Sequence, residues 1–352
     1  MIKMKLPLTA LLSHVLVALT IEIDNEVERR APHRTTRQGP SERTGPWLVS
    51  TVMYFNCMHH VDDAGITAKD LERQARTKTN LHGMQRWGYI TLGEDGKVYP
   101  TAAGRKAREI WEKLFPIVEG TWQDRYGEAR IAALRQALIA LIDSLRLDMP
   151  DCLPILGYGL VSSAATVSKR VTQDAAIAEL PLVALLSKTL LAIAFEFERD
   201  SDVSLAIAAN VLRLVDDQGV AVREIPPQAG ISKEAVSTAL SFLEKQGYVT
   251  IETAMKGTKR TKRAMLTRKG SLSRDVAVQR IGDLEVRWRK RFGAETIDAL
   301  RAALEQLADP SEASLLLALD APPECWRASV PKTTHLPHFP VVLHRGGYPD
   351  GS

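Results

Sequence analysis

Cysteine is almost missing from this chain of 352 residues: Cys57, Cys152 and Cys325 stand far apart, with no Cys-x-x-Cys pair. That excludes a disulfide framework and gives no zinc-ligand spacing, and it suits a reducing cytoplasm. No glycine-rich phosphate loop follows a strand, no nucleophile elbow appears, and no ligand cluster has regular spacing. Nothing therefore argues for an enzyme or a cofactor. Aromatics make up only 6% of residues, and a net charge of +4 is too small to indicate a nucleic-acid partner by itself. His59 and His60 beside Asp62 and Asp63, or His335, His338 and His344, invite a metal reading. Adjacent histidines on a helix point to different sides, however, and the Asp-Asp pair recurs elsewhere without histidine, so structural and surface roles are favoured and no metal is expected. The apolar run Met1 to Leu19 imitates a signal peptide. It lacks a small-residue cleavage site, and His14 and Glu22 oppose a membrane span. We read it as a buried structural helix and expect no membrane contact.

What the chain does contain is a repeat. LPLTALLSHVLVALTIEID (Leu6 to Asp24) matches LPLVALLSKTLLAIAFEFE (Leu180 to Glu198) at ten of nineteen positions. Ser50 to Gly65 and Ser204 to Gly219 both end in Val-Asp-Asp-x-Gly. Gly88-Tyr89-Ile90-Thr91 answers Gly247-Tyr248-Val249-Thr250, and the stretch from Trp122 answers the stretch from Trp288. Four blocks in one order, about 170 residues apart, imply two copies of one domain rather than a solenoid of short units. The copies span 1–160 and 180–352, joined by a linker at 161–179. The first carries a loop insertion at 25–47, rich in Arg, Pro, Gly and Thr. The second ends in a Pro/His/Gly-rich tail at 321–352, whose Phe339-Pro340-Val341-Val342-Leu343 echoes Leu153-Pro154-Ile155-Leu156 and is expected to pack back on the domain.

The most informative stretch is Ile231 to Gly270. Ser232 is a good N-cap, and Ala235, Val236, Ala239, Leu240 and Leu243 fall on one helical face. Lys233, Glu234, Ser237, Thr238 and Ser241 fall largely on the other. Gly247 ends the helix; Tyr248 to Thr253 and Ala264 to Leu266 read as a hairpin, a long basic wing over 252–266. Between Lys256 and Gly270 stand Lys256, Lys259, Arg260, Lys262, Arg263, Arg268 and Lys269, with no acidic residue. A polar-faced helix followed by a basic hairpin is the sequence form of a winged helix-turn-helix, in which the helix reads base edges and the hairpin neutralises phosphate.

GISKEAVSTALSFLEKQGYV, the basic hairpin and then LTRKG resemble the MarR-like winged-helix regulators, and VRWRKRFGAETIDALRAALEQL resembles their C-terminal helices. The resemblance implies a mostly α fold with small β-hairpin wings, double-stranded DNA as partner, and a small, frequently aromatic effector that no residue set here identifies. It assigns Ser232, Lys233, Glu234, Ser237, Thr238 and Ser241 to base and nearby phosphate contact, and Lys256, Lys259, Arg260, Lys262 and Arg263 to the wing. The family's wing usually carries Asp-x-Arg; the matching positions are Thr258, Lys259 and Arg260, so the Arg is kept and the bracing Asp is not.

In the first copy the equivalent helix is Thr77 to Trp87, preceded by Arg73 and Arg76. Its DNA-facing candidates are Arg73, Arg76, Thr77, Lys78, Thr79, Asn80 and His82, with a mobile arm over 29–43. Its short wing carries Glu94 and Asp95 against Lys97. Most such regulators are homodimers of single-copy chains; here both halves of the dimer interface occur in one chain. The expectation is a monomer acting as an intramolecular pseudo-dimer of tandem winged helix-turn-helix domains, a sequence-specific transcriptional regulator in the cytoplasm. The second reading is a ligand- or protein-binding module on the same scaffold, whose first copy no longer binds DNA.

Overall fold

The computed structural model describes residues 5–30, 55–75, 81–147, 149, 175–199, 201, 203–256, 259–309, 314–323, 325, 328 and 333–341. The protein is mostly helical, with two small three-stranded antiparallel sheets. Its centre is made by helices that are apolar nearly all round. α1 (Leu8–Arg30) buries residues on every face, from Leu8, Leu11 and Leu12 to Ile21, Ile23 and Val27. A helix of that kind must lie inside a protein or a membrane. By length and composition α1 could cross a membrane, yet 89% of its apolar window is buried within the protein.

α1 runs further than the sequence suggested, so residues 25–30 of the expected loop insertion are helical. Val27 is buried, and Arg29 and Arg30 both reach back to Glu26, at 2.6 and 3.2 Å. These pairs, with two cations at a helix C-terminus, extend the last turn. The rest of the insertion and the 29–43 arm beyond Arg30 lie outside the described residues.

Along the first half follow α2 (Phe55–Met58), β1 (Ile66–Thr67), α3 (Ala68–Ala75), α4 (Leu81–Arg86), β2 (Ile90–Leu92) and β3 (Lys97–Pro100). Two long helices complete it, α5 (Ala102–Tyr126) and α6 (Glu128–Leu145). The second half opens with a short 3-10 turn, Ala175–Glu179, inside the stretch expected to be linker, where Ile177 is buried. It continues with α7 (Leu182–Glu198), a π turn (Leu205–Ala209) running into α8 (Asn210–Leu212), β4 (Val220–Ala221), α9 (Ile225–Ala229) and α10 (Lys233–Lys245). Then come β5 (Val249–Lys256), β6 (Lys259–Leu266), α11 (Arg268–Phe292) and α12 (Ala294–Ala308). The strand orders are β1-β3-β2 and β4-β6-β5.

Several local devices occur once in each half. Thr101 and Thr267 cap α5 and α11, accepting from the backbone N–H of Gly104 and Gly270 at 3.0 Å. A Cβ at either glycine would land on the carbonyl oxygen of Tyr89 or Tyr248, so only glycine lets the strand pass under the helix start. α5 and α11 end at Gly127 and Gly293, with φ of 95° and 93°, a region L side chains rarely adopt. The buried Trp122 and Trp288 donate from Nε1 to Glu22 (2.6 Å) and Glu196 (2.8 Å). In the Val-Asp-Asp-x-Gly stretches, Asp62 and Asp216 each accept from the backbone N–H two residues on, closing an Asx turn.

The two halves meet through α1, α6, α7 and α12. α1 packs on α7 and α12; α6 packs on α12 and α7. Arg301 on α12 binds Glu285 and Glu305 and donates to the Leu6 carbonyl at the start of α1, at 3.2 Å. Arg135 on α6 does the reciprocal thing: it binds Glu119 and donates to the Leu180 carbonyl before α7, at 2.9 Å. The tail also reaches this centre. Phe339 is fully buried, its backbone held on both sides by the Asn210 amide (2.6 and 3.1 Å), and Ser13 donates to the Pro337 carbonyl at 2.7 Å.

Candidate nucleic-acid interface

α10 is positioned by its own ends. Gly230, in the left-handed region at φ 68°, closes α9, which Pro226 and Pro227 start and keep short. Ser232 then caps α10, its hydroxyl accepting from Ala235 N at 3.1 Å. Ser232 is buried, so it serves as the cap and is not a surface donor, which corrects its place among the base-contact candidates. The apolar stripe Ala235, Val236, Ala239, Leu240 and Leu243 is buried against α8 and the π turn. Lys233, Glu234, Ser237, Thr238 and Ser241 all stand exposed on the opposite face.

The hairpin after α10 is longer than the sequence indicated. β5 and β6 pair over eight residues each, from Val249↔Leu266 out to Lys256↔Lys259, so the returning strand begins at Lys259 and not Ala264. Its outer part carries no apolar alternation, only ladder hydrogen bonds and β-favouring residues such as Thr253 and Thr261, so patterning could not reveal it. The outermost pairs, Lys256↔Lys259 and Met255↔Arg260, put three cations at the free end of the hairpin. Lys262 is exposed two pairs further in, opposite Thr253.

Arg263 behaves differently from its neighbours. Its guanidinium donates to the carbonyls of Gln218 and Gly219, both at 2.8 Å, pinning the hairpin to the turn before β4. Arg263 thus braces the hairpin with two of its guanidinium nitrogens. Lys269 is also committed: it donates to the Gln246 carbonyl (2.9 Å) and lies 4.3 Å over the Tyr248 ring.

The first half presents a different face. Arg73 pairs with Asp70 at 2.7 Å, and His82 is exposed on α4. Arg76, Thr77, Lys78, Thr79 and Asn80 lie outside the described residues. The β2–β3 turn closes on itself. Tyr99 donates to Asp95 at 2.7 Å, and that bond, with the Lys97 N–H, holds the Asp95 carboxyl below the usual range. Lys97 points back to the Ala64 carbonyl at 3.4 Å, much as Arg263 does to Gly219. This hairpin offers acidic groups and no free cation among its described residues.

Among the described residues no three His, Cys, Asp or Glu side chains stand close enough to share a metal ion. Asp63 pairs with Arg105 at 2.7 Å, and Asp62 is spent on its turn. No family model, curated protein or solved structure matches this chain.

Proposed function

We propose that the chain is a sequence-specific double-stranded DNA-binding transcriptional regulator of the MarR-like winged helix-turn-helix kind, acting in the cytoplasm without catalysis of its own. One juxtaposition carries the reading. An exposed polar helix face, Lys233 to Ser241, stands on the same short domain as a hairpin whose free end gathers Lys256, Lys259, Arg260 and Lys262. A helix of that kind suits the major groove, and the hairpin cations suit the flanking phosphates. In this reading α9–α10 and α3–α4 are the two helix-turn-helix pairs, and β5–β6 and β2–β3 are their wings.

The reciprocal contacts of Arg301 with Leu6 and Arg135 with Leu180 support an intramolecular pseudo-dimer. Residue i touching j while the equivalent j touches i is what a two-fold interface requires. The closed, acidic first hairpin favours DNA binding dominated by the second half, and two unlike half-sites about ten base pairs apart.

Fluorescence anisotropy on labelled duplexes across a salt series tests the reading. Four engaged wing cations give a log–log salt slope of about −3.6 or steeper. In-vitro site selection should return an asymmetric sequence, and light scattering a monomer. Salt-insensitive or absent DNA binding would overturn the proposal, and a clean palindrome with an obligate dimer would overturn its pseudo-dimer part. A small effector belongs to the same reading. A thermal-shift screen of phenolic compounds checks it, and no shift with any of them removes its support.

A further inference from the structure

Arg213, the C-cap of α8, is half-buried, with its Nε enclosed. Among the described residues no carboxylate lies against it. Burial alone pulls its pKa down to about 10, and its Nε has no hydrogen-bond partner. Two histidines stand beside it. His14 of α1 donates from Nδ1 to the Leu336 carbonyl, while its buried Nε2 has no partner. His338 of the tail faces His14 edge-on, ring centroids 6.0 Å apart. Burial keeps both neutral, at about 4 and about 3.

Arg213 and His338 line a cavity of about 40 Å³ together with Thr9, Asn210, Arg274 and Phe339. The Asn210 amide is used up by the Phe339 backbone. Arg274 turns its charge to the exposed carboxylates of Asp275 (2.9 Å) and Asp217 (3.8 Å) and to the Val215 carbonyl. The cavity is partly open and lined mainly by apolar side chains such as Leu205, Leu212 and Ile281, and Arg213 is the charge on it that has no counter-ion among the described residues. Water can satisfy a donor but does not neutralise a buried cation, which is costly to keep without a counter-charge.

We propose that this cavity is a binding site for one small monovalent anion, of chloride to acetate size, held by the Arg213 guanidinium between α1, α8 and the tail. Its volume of about 40 Å³ suits a small occupant, since a single water needs about 10–15 Å³ and benzene about 150 Å³. The site joins three segments far apart in sequence. The tail it clamps also abuts the turn before α10, where a side chain at Gly230 would meet the His335 and Leu336 backbone. The anion thus fastens α10 to the central helices.

The test uses the full chain without DNA, so its outcome is independent of the regulator reading. Thermal denaturation is followed at pH 7 and constant ionic strength while gluconate is replaced by chloride, nitrate or acetate. The expected result is a saturable rise in Tm with the small anions and none with sulfate. Arg213→Met should melt higher than the wild type in gluconate, because an uncompensated buried charge is gone, and should not respond to chloride. Should that variant fail to fold, chloride-35 line broadening decides the matter on the wild type: one saturable site, displaced by nitrate, supports the proposal. No anion-specific shift in the wild type, an equal shift in Arg213→Met, or no saturable broadening would overturn it.

Discussion

Lowering the pH from 7 to 5 should loosen the tail and destabilise the protein well before its carboxylates titrate. The unfolded chain's histidines protonate around 6.5, whereas His14 resists until about 4 and His338 until about 3. Between those values the unfolded state binds protons that the folded state excludes. Stability is therefore complete above pH 6.5 and falls as the pH drops. At pH 5 the loss is about 2 kcal/mol for each histidine, or ~4 kcal/mol for both as an upper figure, since both sit near Arg213 and their titrations are coupled. Glu198 works the other way: burial raises its carboxyl, so its folded form gains relative stability as acid protonates it. Urea unfolding at pH 5, 6 and 7 in gluconate measures the net slope, with proteolysis at the tail as a local readout. The His14→Gln, His338→Gln double variant should lose most of the pH dependence between 7 and 5. A double variant as acid-sensitive as the wild type would refute the reasoning.

Gly270→Ala drives a methyl onto the Tyr248 carbonyl and should cost at least ~3 kcal/mol, whereas Gly282→Ala, mid-helix with open space, should stabilise by roughly 0.5–1 kcal/mol; thermal melts compare them. Arg301→Ala leaves Glu285, Glu305 and the Leu6 carbonyl without their shared donor and should cost about 2–3 kcal/mol by urea titration, below the fully buried range because both carboxylates are partly exposed. Arg260→Ala and Lys262→Ala should each weaken binding to all DNA sequences and flatten the salt slope by about one unit, with Tm unchanged. Arg263→Ala should lower Tm, because it unpins the hairpin from Gln218 and Gly219.

The apolar all-round patterns of α1 and α7 were readable because a helix with no polar face has few places to go. The repeat made the Val-Asp-Asp-x-Gly stretches visible, but not their job; a short-range Asx turn leaves no periodic signal. The long hairpin was half hidden for a physical reason. From Glu252 to Arg263 the only apolar side chains are Ala254 and Met255, which as neighbours fall on opposite faces, so neither strand length nor register is written in hydrophobic alternation. A charge run likewise presents its cations as equals. Lys262 and Arg263 are both exposed, and only the folded chain shows that Arg263 holds two carbonyls. Arg213 was least legible of all: a single arginine after an apolar helix gives no hint that its Nε is enclosed. The tail's echo of Leu153 to Leu156 pointed to packing, yet the partners, Asn210 and Ser13, lie 129 and 324 residues away.

The features made twice and the features made once divide along a physical line. The Trp–Glu bonds and the Arg–carbonyl clasps recur on the helices of the shared centre or on those packed against them, and the caps and glycine approaches recur where each hairpin meets the helix that follows it. Among the described residues, the exposed face of α10 and the outer pairs of β5–β6 make no hydrogen bond or ion pair to the first half. In a homodimer the identical chains would force them to match; in a fused pair they need not. On the proposed reading fusion also makes association intramolecular, so both halves would meet without the concentration that separate subunits need. On the proposed reading, the acidic, self-closed β2–β3 turn and the cationic β5–β6 end are the expected result of that freedom. DNA binding would then be led by the second half, and the first would tune orientation more than affinity.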